Sequence, residues 1–67
     1  MKLQDIESNI QRDLNVGWRV AKNIRERLFK HWNGYKEALQ DLSVRYDDDG
    51  RIEFTLTINE KNKKVTF

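Results

Sequence analysis

Residues Ile10-Gln11-Arg12-Asp13-Leu14-Asn15-Val16-Gly17-Trp18-Arg19-Val20-Ala21-Lys22-Asn23-Ile24 decide the fold. The spacing reads as helix, tight turn, helix. Ile10 and Leu14 face inward on the first helix. Gly17 lies at or just after the turn, where a small residue allows close approach. Val16, Ala21 and Ile24 fill the angle between the helices, and Ala21 is small where the two backbones would crowd. This is the spacing of a helix-turn-helix, a motif whose second helix enters the DNA major groove.

Outward from this stretch the apolar period supports both helices. Leu3, Ile6, Ile10 and Leu14 recur at steps of three and four, one stripe of an amphipathic helix. Asp5 is a candidate cap, with Ser8 three residues on, although Leu3 on the same stripe argues for an earlier start. The helix is expected to stop near Asn15-Val16-Gly17. Val20/Ala21, Ile24, Leu28 and Trp32 form the second stripe. Asn33-Gly34 reads as its stop, with Gly taking a left-handed conformation. Tyr35, Ala38, Leu39 and Leu42 have the spacing of a short third helix.

From Leu42 the period changes to two. Leu42, Val44 and Tyr46 alternate with Ser43 and Arg45, and Ile52, Phe54, Leu56 and Ile58 alternate with Glu53, Thr55 and Thr57. Asp47-Asp48-Asp49-Gly50 and Asn59-Glu60-Lys61-Asn62 read as turns, and Val65 and Phe67 mark a third strand. The expected fold is α+β. Two or three N-terminal helices (helix-turn-helix-like, residues 1–41) pack on a three-stranded antiparallel β-meander (42–67) in a single domain, because an isolated meander of this size would be unstable.

Composition bounds the function. The chain has 67 residues, 13 Lys plus Arg, 11 Asp plus Glu, one His, no Cys and no Pro. This length allows one domain and is too short for a catalytic barrel or a dinucleotide-binding enzyme of ordinary size. Without Cys there is no disulfide and no thiolate zinc site, which leaves self-association as the staple for a thin core. No apolar run approaches the length of a membrane span, and Met1–Asp5 lacks the apolar core of a signal peptide. A cytoplasmic location is expected. The net charge of +2 is uneven: residues 12–36 hold seven bases and two acids, a local +5 that points to an anionic partner.

Ile10, Gln11, Arg12, Leu14, Val16, Gly17, Trp18, Ala21 and Ile24 together resemble the winged-helix DNA-binding domain of FtsK/SpoIIIE-type DNA translocases. The resemblance covers about a quarter of the chain. The family has a further helix before this pair, for which there is little room here. It also runs quickly into a two-stranded wing, whereas this chain first inserts His31–Asp41 and then makes three strands. What the resemblance implies is a DNA binder with a rearranged wing, not a translocase.

With Val20, Ala21, Ile24 and Leu28 inward, the outward face of the second helix carries Arg19, Lys22, Asn23, Glu26, Arg27 and Lys30. Arg19 has the donors for a bidentate contact to guanine, and Asn23 the donor and acceptor for one to adenine. Lys22, Arg27 and Lys30, with Arg12 on the first helix, are expected on phosphates of double-stranded DNA. Arg51 or the Lys61–Lys64 turn would act as a wing. A homodimer is expected, because one small module gives limited affinity.

The bland reading of the helix is a solvated basic face, with Glu26-Lys30 an ordinary i,i+4 pair. Trp18 and Trp32 read as core, or else as a dimer or partner surface, with packing of Trp18 on a sugar-phosphate edge as a further alternative. His31 has no second His or Cys and no nucleophile, so neither a metal site nor an enzyme is expected, and no cofactor. Asp47-Asp48-Asp49-Gly50 lacks the ligand spread of a calcium loop and reads as a hairpin turn. The alternative function is a small protein–protein interaction module, a phage- or plasmid-type inhibitor or assembly factor, using surplus aromatics or the edge strand that ends at Phe67.

Overall fold

The computed structural model describes all 67 residues, in the order α1 (Leu3–Leu14), α2 (Trp18–His31), a 3-10 turn (Lys36–Ala38), β1 (Asp41–Tyr46), β2 (Ile52–Ile58) and β3 (Lys61–Thr66). The sheet is antiparallel with order β1-β2-β3. The architecture is α+β, with two α-helices rather than three.

α1 starts at Leu3, with Lys2 and not Asp5 at the cap. Asp5 instead lies in the first turn, where a carboxylate complements the helix dipole. The helix ends because Asn15 turns left-handed (φ 55°), which lets both its own N–H and that of Val16 donate to the Gln11 carbonyl. Asn accepts this conformation more readily than a branched residue does. Gly17 then opens α2 in ordinary extended geometry, and a Cβ there would touch nothing within 4 Å. The close approach expected at Gly17 is therefore absent. It occurs at Gly34, where a Cβ would collide with the Trp32 ring. Gly34 does not take the left-handed φ expected of a helix stop; among the glycines only Gly50 does, at φ 78°.

No third helix forms between Trp32 and β1. The eight residues from Asn33 to Gln40 must carry the chain from the end of α2 back to the sheet. A single tight turn is enough to bury Leu39, while Tyr35 stays exposed. A helix this short would not recover its nucleation cost. The Met1 amino group donates to the Lys36 and Leu39 carbonyls at 2.8 and 2.9 Å and ties this turn to α1.

In the first hairpin the Asp47 carboxylate accepts from the N–H groups of Asp49 (3.0 Å) and Arg51 (2.8 Å). The second hairpin is tighter than the expected four residues. Asn59 and Glu60 both have positive φ, 53° and 64°, the geometry of a two-residue I′ turn, so Lys61 and Asn62 belong to β3. The Gln40 side chain accepts from the Glu60 N–H at 2.8 Å and supports this strained residue.

Both helices lie on one face of the sheet. Ile6 and Ile10 from α1, and Ala21, Ile24 and Leu28 from α2, meet Leu42, Val44, Ile52, Phe54 and Leu56, with Trp32 and Leu39 closing the core. An Arg25–Glu7 ion pair at 2.8 Å ties the helices together. The two Trp side chains separate: Trp32 is 6% exposed, as expected of core, but Trp18 is 59% exposed. Val20, expected inward, is also 46% exposed. The apolar contact of α2 begins only with Ala21, so its first turn projects past the core.

Candidate nucleic-acid interface

Because α2 buries Ala21, Ile24 and Leu28, its opposite face is fixed outward by the 3.6-residue repeat. Arg19, Lys22, Asn23, Glu26, Arg27 and Lys30 are all exposed. Neither the sheet nor the segment after α2 covers them. Two shallow open depressions run along this face. Trp18, Arg19, Lys22, Asn23 and Glu26 line the first, and Asn23, Glu26, Arg27 and Lys30 line the second. The shared residues Asn23 and Glu26 make the face continuous, with cations toward both ends.

Two of the guanidinium groups lie against rings. Arg19 sits over Trp18 at 5.5 Å and Arg27 over Phe67 at 4.8 Å. His31 stacks on the same Phe67 at 4.8 Å, so Phe67 anchors the C-terminal half of α2 to the sheet. Stacking restrains a guanidinium without consuming its in-plane donors, which leaves them for an anionic ligand.

Arg12 is exposed on α1 and pairs with Asp13 at 3.3 Å. It lines neither depression, and neither do Arg51 and the Lys61–Lys64 segment. Arg25 counts toward the local charge but not toward the face, since its side chain is only 15% exposed and is held by Glu7. Trp18 joins the face instead of the core. Its position one residue before Arg19 is compatible with either side of the helix, and only the overhang of the first turn decides between them.

One carboxyl titrates away from its ordinary value. The Lys36 ammonium hydrogen-bonded to Glu37 holds it low, on the 3-10 turn rather than on α2. Chemically, the α2 face offers donors and positive charge in an open groove, with the Glu26 carboxylate as its one anion. Comparison with models of protein families, with curated proteins and with solved structures returned no match.

Proposed function

We propose that the chain is a small, non-enzymatic DNA-binding protein of helix-turn-helix or winged-helix type, with α2 lying in the major groove of duplex DNA. The observation that supports this reading is the unobstructed face of α2, where Arg19, Lys22, Asn23, Arg27 and Lys30 project together from a helix that follows a three-residue turn. Arg19 and Asn23 lie in the first half of the helix, the part that reaches base edges in such motifs. Lys22, Arg27 and Lys30 are suited to phosphates, with Arg12 as a contact from α1. Glu26 among them repels phosphate and accepts from a cytosine amino group, so the face favours an aligned docking over any basic contact. In this reading the β-hairpins play the part of a wing, and two copies on adjacent half-sites would supply the affinity that one small module lacks. The protein would act in the cytoplasm.

Binding to a labelled duplex, followed by anisotropy for wild type and for the Arg19→Ala/Lys22→Ala double variant, tests the reading. The expected result is a loss of affinity and of preference among duplex sequences in the variant. The same weak, featureless binding by both proteins would remove it.

A further inference from the structure

The two edges of the sheet are treated differently. At the β1 edge the outward N–H and C=O of Leu42 and the outward N–H of Val44 are claimed by side chains. Asn9 donates to the Leu42 carbonyl (3.2 Å), and Asp13 accepts from the Val44 N–H (3.1 Å). Asp41 accepts from the Leu42 N–H (2.8 Å). Asn9 and Asp13, one helical turn apart, thus let α1 cover the Leu42–Val44 part of that edge.

The β3 edge has no such cover. The mutual bonds of Ile52 and Phe67, both 3.0 Å, set the phase of the β2–β3 ladder. With the register Phe54↔Val65 and Leu56↔Lys63, the backbones of Lys61, Lys63 and Val65 turn toward β2, and those of Asn62, Lys64 and Thr66 turn outward. Nothing in the chain bonds to these outward groups. The same strand carries Lys61, Lys63 and Lys64 and no acid.

We propose that β3 receives an acidic, extended segment of another protein as a fourth strand. The bare N–H and C=O groups supply the ladder, and the lysines supply the selection. Self-pairing through this edge would bring six ammonium groups together, which is the standard defence against edge-to-edge aggregation. The same charge attracts a strand of opposite sign. Lys61 and Lys63 share the helix-facing side of the sheet with Val65 and Phe67, whereas Lys64 lies on the open face, 3.9 Å from Glu53. The incoming strand therefore has acidic residues opposite Lys61 and Lys63 and apolar residues opposite Val65 and Phe67. A nucleic acid would use the lysines but has no use for the outward backbone groups.

The test uses the whole chain and the heptapeptide Val-Thr-Val-Glu-Glu-Thr-Glu, which in antiparallel register sets valine opposite Phe67 and Val65 and glutamate opposite Lys64, Lys63 and Lys61. Binding is read by NMR titration and amide exchange. Slowed exchange at Asn62, Lys64 and Thr66, but not at Lys63 or Val65, is the expected result. A Lys63→Glu/Lys64→Glu variant should bind about tenfold more weakly, because exposed attractions to the peptide's carboxylates become repulsions. A peptide methylated on alternate backbone nitrogens should fail on wild type, which keeps the test independent of how the variant folds. Arg19→Ala/Lys22→Ala should bind the peptide normally, so failure of the DNA reading is distinguishable from failure of this one. No peptide binding, equal binding of the methylated peptide, or shifts confined to lysine side chains would overturn the proposal. So would displacement of the peptide from β3 by duplex DNA without protection of the three amides.

Discussion

If α2 lies along a duplex, its free cations set the salt dependence of binding. Lys22, Arg27 and Lys30 line the two depressions and, with the exposed Arg12 of α1, are the residues placed on phosphates, whereas Arg19 is placed on a base edge and Arg25 is tied to Glu7. Four phosphate contacts give a slope of log K against log salt of about −3.6, so a fourfold rise in salt weakens binding about 150-fold. Lys22→Ala/Lys30→Ala removes two contacts, halves the slope to about −1.8 and reduces the same loss to about 12-fold. Glu26→Gln should tighten binding at every salt concentration while leaving the slope unchanged, because it removes a repulsion and not a counterion-releasing contact. Anisotropy of a labelled duplex over a salt series measures all three, and circular dichroism confirms that each variant is folded. A wild-type slope shallower than about −1, or one that Lys22→Ala/Lys30→Ala leaves unchanged, would refute the placement of α2 on DNA.

Four further outcomes concern the fold. Leu28 is fully buried, so Leu28→Ala should cost about 3–5 kcal/mol in urea unfolding, a large share of what a domain of this size holds. Asp13→Ala leaves the Val44 N–H without its acceptor and should cost about 1 kcal/mol, with faster amide exchange at Val44. Glu60→Gly should raise stability by about 1 kcal/mol, read as a higher Tm, because Glu60 holds φ 64° in a turn that glycine enters without strain. Gly34→Ala pushes a methyl group into the Trp32 ring and should cost about 1–3 kcal/mol, with a changed near-UV circular dichroism signal.

The helices and strands were legible because their apolar residues repeat. Ile6 and Ile10 lie one turn apart on α1, and Ile52, Phe54 and Leu56 alternate along β2; all five are buried. Periodicity does not show where an element runs out of partner. Val20 fits the helical stripe and Tyr46 the strand alternation, yet both are half-exposed, because each lies beyond the surface the other layer covers. Glycine was legible as punctuation but not as cause. Gly17 looked like a packing contact and is free, whereas Gly34 looked like a left-handed stop and supports a ring. The outward cations of α2 followed from its buried residues. The ties from Arg25 to Glu7, and from Asn9 and Asp13 to β1, join positions far apart in the chain, so only the packed structure reveals them.

The separation of the two indoles gives the protein a pair of built-in optical reporters. Trp32, enclosed by Gly34 and set 5.6 Å from Phe29, emits from a dry environment and shifts to the red only when the core opens. Trp18 emits from water at the rim of the α2 groove, within reach of a collisional quencher such as iodide. Shielding of Trp18 from quenching while the Trp32 band stays in place would report occupancy of α2. A shift of the Trp32 band would report denaturation. One unmodified sample thus distinguishes a bound molecule from an unfolded one.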